Sequence, residues 1–211
     1  MKSLDIPSLS FLPGPPPPLD WLTQTMDALP RHLLSETPWP DGQAKPEVTF
    51  SVGHSTDCLY LKYYVEEEQV QARYRRTNEP VYKDSCVELF IAFNNESSYY
   101  NLEFNCLGTY LVGFGEDRQN RRLLPGSTAE KIKVWSTLSV RTNALWQLTI
   151  AIPAEVFCAH RLLSFEGVLA KGNFHKCGDE LPNPHYLTWN PVAAPQPDFH
   201  RPECFGDFRF I

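Results

Sequence analysis

The sequence predicts an all-β domain, an antiparallel β-sandwich of jelly-roll or immunoglobulin-like type with a short N-terminal helix and arm. Three observations lead there. About ten short runs carry period-two or doubly apolar patterning, turn formers separate them, and no helical pattern alternates with them. At 211 residues, 42% hydrophobic and 13% aromatic, the chain has material for one core.

Residues 1–46 read as a proline-rich arm and short helix belonging to the same domain as the sandwich, residues 47–211. Pro15, Pro16, Pro17 and Pro18 cannot pair in a sheet, and residues 19–34 carry weak helical periodicity broken by Pro30. Strand signals begin at Glu47. Residues 48–52 read as a strand, and residues 59–65 set Leu59, Leu61, Tyr63 and Val65 on one face. A strand at 70–74 is expected after the Glu66-Glu67-Glu68 turn. Residues 86–93 are apolar on both faces except at Glu88, the pattern of a strand buried inside a stack. Beyond the Asn94-Asn95 turn, residues 100–106 alternate Leu102, Phe104 and Cys106 against Asn101, Glu103 and Asn105, and Gly108 leads into residues 110–114. Further strands are expected at 131–135, 138–142, 146–152, 169–174, 185–189 and 205–210, and a helix at 153–160.

The net charge of -6 argues against nucleic acid or an anionic membrane as partner, since both are normally met by a basic stripe. Arg118, Arg121 and Arg122 follow Glu116 and Asp117, so they read as a solvated hairpin tip. Pro7 interrupts the N-terminus before any apolar run long enough for a signal peptide, and no stretch reaches the ~18 apolar residues of a membrane span. The expected location is cytoplasmic, or secreted or periplasmic if the N-terminus is a processed one. Six cysteines are scattered without a C-x-x-C pair, which suits free thiols in a reducing compartment, and Cys86 and Cys106 read as small core residues.

The C-terminal third interleaves aromatic and polar residues with turn formers, as in 172–179, 184–191 and 197–206. A loop-built sugar site needs this mixture, because a sugar ring offers a C–H face to an aromatic plate and a hydroxyl edge to polar groups. Trp189 reads equally well as such a plate or as a core aromatic under a long loop. Three segments carry a resemblance to the family 9 carbohydrate-binding modules, and to their bacterial family-9-like members: Pro80-Val81-Tyr82-Lys83-Asp84-Ser85-Cys86-Val87-Glu88-Leu89-Phe90-Ile91, Trp146 to Pro153, and Trp189-Asn190-Pro191 with Pro197-Asp198-Phe199-His200. The resemblance implies a β-sandwich that holds a glycan end, from a polysaccharide such as xylan, or a small sugar between two aromatic plates. It places Tyr82 where the family usually has a Trp, makes Glu88 the strand carboxylate, and makes Trp189 and Asn190 the second plate and its polar neighbour. It also implies a structural calcium in some members, although no dense Asp/Asn loop marks one here.

If residues 86–93 and 100–106 pair, Glu88, Glu103 and Asn105 converge on one patch. The same two carboxylates raise an alternative, a glycoside hydrolase using Glu88 and Glu103 about 5 Å apart. Haem ligation, which a related cytochrome-type sandwich achieves with Met and His, is disfavoured because Met1 and Met26 lie in the arm. His175, Cys177 and His185 form a weak metal candidate, since the H-x-C spacing lets two side chains share a strand face.

Overall fold

The computed structural model describes residues 1–9, 17–39 and 45–211; part of the proline run, Pro15 and Pro16, lies outside the described residues. In chain order the strands are β1 (Ser3–Ile6), β2 (His32–Leu33), β3 (Glu47–His54), β4 (Cys58–Glu67), β5 (Cys86–Phe93), β6 (Tyr99–Asn105), β7 (Tyr110–Gly115), β8 (Arg122–Leu123), β9 (Lys133–Val140), β10 (Ala144–Pro153), β11 (Leu169–Cys177), β12 (Tyr186–Thr188) and β13 (Gly206–Phe210). Among the described residues the α-helices are α1 (Leu19–Ala28) and a single turn, α2 (Gly126–Ala129). One sheet runs β1-β13-β11-β5-β6-β7-β8, with β12 also on β11, and the other runs β2-β3-β4-β10-β9.

The inward residues of the two sheets form one buried cluster. Leu59, Leu61, Tyr63 and Val65 of β4 meet Val87, Leu89, Ile91 and Phe93 of β5 there, as the period-two pattern requires. Phe50 of β3 stacks on Phe174 of β11 at 3.8 Å, so the ring contact crosses from sheet to sheet. Burying each such side chain contributes roughly 1.5 to 3 kcal/mol. Strand β5 is buried on its other face as well, because Cys86 and Phe90 join Tyr99, Cys177, Phe199 and Phe205 in a second apolar layer on the outside of the larger sheet. This outer layer is roofed by the segments that follow β11 and β12, and the site lies within it.

Several elements depart from the sequence reading. The expected strand at 70–74 joins no ladder, because its amides are taken by side chains: Gln71 N donates to Ser85 Oγ at 3.1 Å, and Arg73 N and Tyr74 N donate to the Asp84 carboxylate at 2.8 and 3.1 Å. The helix expected over 19–34 stops at Ala28, ahead of Pro30, and His32–Leu33 becomes a strand on β3. The two strands expected at 131–135 and 138–142 are one, β9. The helix expected over 153–160 is a three-residue 3₁₀ turn, Ala154–Val156. Strand β1 is an addition: it pairs in parallel with β13, Leu4 opposite Phe208, and so ties the arm into the larger sheet.

Candidate functional site

Three neighbouring strands carry the site. In the register of the larger sheet, His175 of β11 stands opposite Glu88 of β5, and Glu88 stands opposite Glu103 of β6. All three side chains point to the outer face; Glu88 and Glu103 line a cavity of about 50 Å³ together with Tyr82, Phe90, Arg118, Arg121, Cys177, Asp179, Tyr186, Pro197, Asp198, Phe199 and His200, and His175 is covered by Phe199 beside it. Glu88 is 3% exposed and Glu103 2%. Glu88 Oε1 accepts from Cys177 Sγ at 3.2 Å, while its Oε2 lies 3.5 Å from His175 Nδ1 and has no hydrogen-bond partner. Glu103 Oε1 accepts from Asn101 Nδ2 at 2.8 Å and Arg121 Nη1 at 2.9 Å, and its Oε2 is likewise without a partner.

Burial dominates the electrostatics. It pushes the Glu88 carboxyl up to about 7 and the Glu103 carboxyl up to about 8, the neighbouring Glu88 adding to the rise at Glu103 while Arg121 opposes it. Burial also raises Asp179 to about 6. Conversely, burial lowers His175 and His200 to about 3, so both imidazoles are neutral near pH 7. His175 is stacked face to face on Phe199 at 4.2 Å, and Tyr99 Oη sits 2.7 Å from His200 Nδ1. Arg121 Nη1 lies 3.3 Å from His200 Nε2, and Arg118 lies over the Tyr82 ring at 6.0 Å.

Of the residues expected at the site, Tyr82, Glu88 and Glu103 are brought together and the other three are not. Trp189 is 5% exposed in the main core, edge-on to Phe174 at 6.2 Å and close to Phe208. It is wedged against the backbone of β13, where a Cβ on Gly206 would come within 2.5 Å of its ring. Of its two readings, the core aromatic matches this placement. Asn190 closes the framework, its Oδ1 accepting from Lys2 N at 2.7 Å and its Nδ2 donating to Cys204 O at 2.6 Å. Asn105 locks the β6–β7 turn: its Oδ1 accepts from Leu107 N and Thr109 N, and its Nδ2 donates to Tyr74 O and Asp84 Oδ2. The expected metal set of His175, Cys177 and His185 is separated, because His185 Nε2 lies 2.6 Å from Lys176 Nζ, and Lys176 points to the opposite face of β11 from His175 and Cys177.

Arg118 and Arg121 are the main residues that the sequence reading missed. Read as a solvated tip, they instead fold over the cavity, and Arg121 reaches the buried Glu103. The glycines of β7 permit this. A Cβ on Gly113 would stand 2.6 Å from Asn101 Oδ1 and 3.3 Å from Arg121 Cδ, and one on Gly115 would stand 2.5 Å from Arg121 Cα. The signal was therefore the Gly-x-Gly on the strand ahead of the arginines. Among the described residues, three or more His, Cys, Asp or Glu donor atoms converge at Cys86, Glu88 and Cys177. Two thiols and one carboxylate do not fit calcium, which takes about six to eight oxygen ligands.

The model of carbohydrate-binding family 9 matches residues 22–210. A Bacteroides uniformis protein of inferred carbohydrate-binding role is 32% identical, with 100% of this chain and 99% of that chain covered and a TM-score of 0.91. Two structures of a family 9 module from Caldicellulosiruptor kristjanssonii, one in complex with cellotriose and one with glucose, are each 10% identical and share the fold. The first covers 99% of this chain and 93% of that one at a TM-score of 0.62, the second 100% and 96% at 0.59. Among curated proteins none matches the chain. With a family match over nearly its whole length, a shared sandwich and a relative at 32% identity end to end, the chain belongs to carbohydrate-binding family 9.

Proposed function

We propose that the chain is a non-catalytic carbohydrate-binding protein and that the cavity over Glu88 and Glu103 holds the edge of a terminal sugar or small saccharide. The observation that carries this reading is the pairing of two buried carboxyls, each with one oxygen free of partners, beneath the half-buried rings of Tyr82 and Tyr186. Such rings suit the C–H face of a sugar, and the carboxyls and arginines suit its hydroxyls. The cavity is well below the roughly 300 Å³ of an enclosing ligand pocket, so it receives part of one ring and leaves the rest of the saccharide outside. A cleft of about 420 Å³ beside Glu66, Glu67 and His185 is larger but has no aromatic ring in its lining other than that of His185. It offers hydroxyl partners without a plate.

Polysaccharide ends, those of xylan among them, are the proposed ligands. Holding is favoured over cutting because Glu103 is committed to Asn101 and Arg121 and shielded from solvent. Calorimetric titration with glucose, cellotriose and xylo-oligosaccharides tests the reading. Micromolar to millimolar binding is expected, weakened about tenfold or more by Tyr82→Ala or Glu88→Gln. Absence of heat with every sugar, or full binding by both variants, would remove it.

A further inference from the structure

We propose that Cys86, Glu88 and Cys177 form a site for a thiophilic divalent cation of the zinc type at the floor of the cavity. Cys86 and Glu88 are two residues apart on β5 and therefore share a face, and Cys177 is the register partner of Cys86 on β11. One donor atom from each, two sulfurs and an oxygen, lie within 4.8 Å of one another, and the three residues are buried. Around a tetrahedral zinc with sulfur at about 2.3 Å, neighbouring sulfurs stand about 3.8 Å apart, so closing the set asks for side-chain shifts of an ångström or less. The Cys177 sulfur is already 3.2 Å from Glu88 Oε1.

A second, independent feature points to the same place. His175 is fully buried beside Glu88, and neither ring nitrogen has a hydrogen-bond partner, a costly arrangement for a purely structural histidine. Its Nδ1 faces Glu88 Oε2 at 3.5 Å, the position of the outer-shell group that orients a ligating carboxylate. Glu88 and Cys177 line the cavity, which supplies the entry path and leaves the fourth coordination position to a water or a sugar hydroxyl. On binding, both thiols, and Glu88 where it is protonated, lose their protons to solvent, the Cys177–Glu88 hydrogen bond gives way, and two sulfur–metal bonds and one oxygen–metal bond replace waters of the hydrated ion, with no change of oxidation state. The set is soft where calcium would need oxygen, and it engages the same Glu88 that faces the sugar edge. Metal and sugar are therefore coupled at one carboxylate.

Cobalt(II) titration of the reduced full chain tests this, in a background of Cys158→Ser and Cys204→Ser that removes one exposed and one half-buried thiol. A thiolate-to-cobalt charge-transfer band that zinc bleaches is expected, and Cys86→Ala and Cys177→Ala should each weaken binding at least tenfold. X-ray absorption at the zinc edge, on the chain with all six cysteines intact, should show two sulfur ligands and lighter atoms. That measurement does not depend on the variants folding. No charge-transfer band, a band that survives in the Cys86→Ala/Cys177→Ala double variant, or an edge spectrum without two sulfurs would each overturn the site. Sugar binding is measured separately with zinc chelated, so failure of the metal site leaves the carbohydrate reading to stand or fall alone.

Discussion

Glu88 and Glu103 give up their protons later in the folded chain than in the unfolded one, where the ordinary value is 4.5. The stability they leave intact below about pH 4.5 is therefore lost progressively as pH rises through 7 and 8. Three histidines work the other way: desolvation holds the buried His175 and the half-buried His185 and His200 neutral down to about 3, so their contribution is complete above their ordinary 6.5 and lost as pH falls below it. The melting temperature should accordingly peak near pH ~6.5, where the histidine contribution is complete and the carboxyl loss only part-way through. Glu103→Gln keeps the acceptor for Arg121 but has no proton to lose, and it should flatten the decline between pH 6.5 and 8. A wild-type curve that is level over that interval would show that burial does not hold these carboxyls protonated. Trp189 offers a second residue-level contrast. Trp189→Ala removes a ring packed on Phe174 and Phe208 and should cost about 3 to 5 kcal/mol of unfolding free energy, with sugar affinity unchanged at a temperature where the variant is folded. Loss of affinity without loss of stability would return Trp189 to the role of a plate.

The hairpin from β7 to β8 is the element that completes the site, because it carries Arg121 over two glycines to a carboxylate on β6. Arg121→Ala should destabilise the chain more at pH 8.5 than at pH 5, since at the lower pH Glu103 can take a proton and at the higher it is left as a buried, unpaired charge, a situation costing about 3 to 5 kcal/mol in buried pairs. Adding Glu103→Gln to Arg121→Ala should erase that pH difference; urea melts of both variants at the two pH values measure it. The sandwich itself was legible from the sequence because its strands carry period-two or doubly apolar patterning between turn formers, and the cross-strand meeting of Glu88 and Glu103 followed from two adjacent runs. What was not legible depended on contacts distant along the chain. Trp189 reads equally as a plate or a core aromatic until Gly206 of β13 is found beneath it, and Asn105 looks like a site amide until the turn it caps is seen. The arginines look solvated because local charge says so, while a tertiary partner says otherwise. The stretch at 70–74 has strand composition, yet Asp84 and Ser85 compete for its amides and win.

At the scale of the whole molecule, the two sheets are joined by more than apolar contact. Lys176 of β11 is fully buried and reaches across to Glu67 of β4 at 3.0 Å, and Trp146 Nε1 donates to the same carboxylate at 2.6 Å. The pairing of β1 with β13 joins residues 3–6 to residues 207–210, nearly the full chain apart. During synthesis at roughly 5 to 20 residues per second, that places the birth of β1 some ten to forty seconds ahead of its partner. For that interval the row of Leu4 and Ile6 has no neighbour on its ladder, and the larger sheet is unfinished at β11. A nascent chain arrested before residue 206 should thus be cut readily within residues 1–6 by an added protease, and should become resistant there only once β13 has emerged. The larger sheet is complete only once β13 has been made, however quickly the rest of the sandwich has formed.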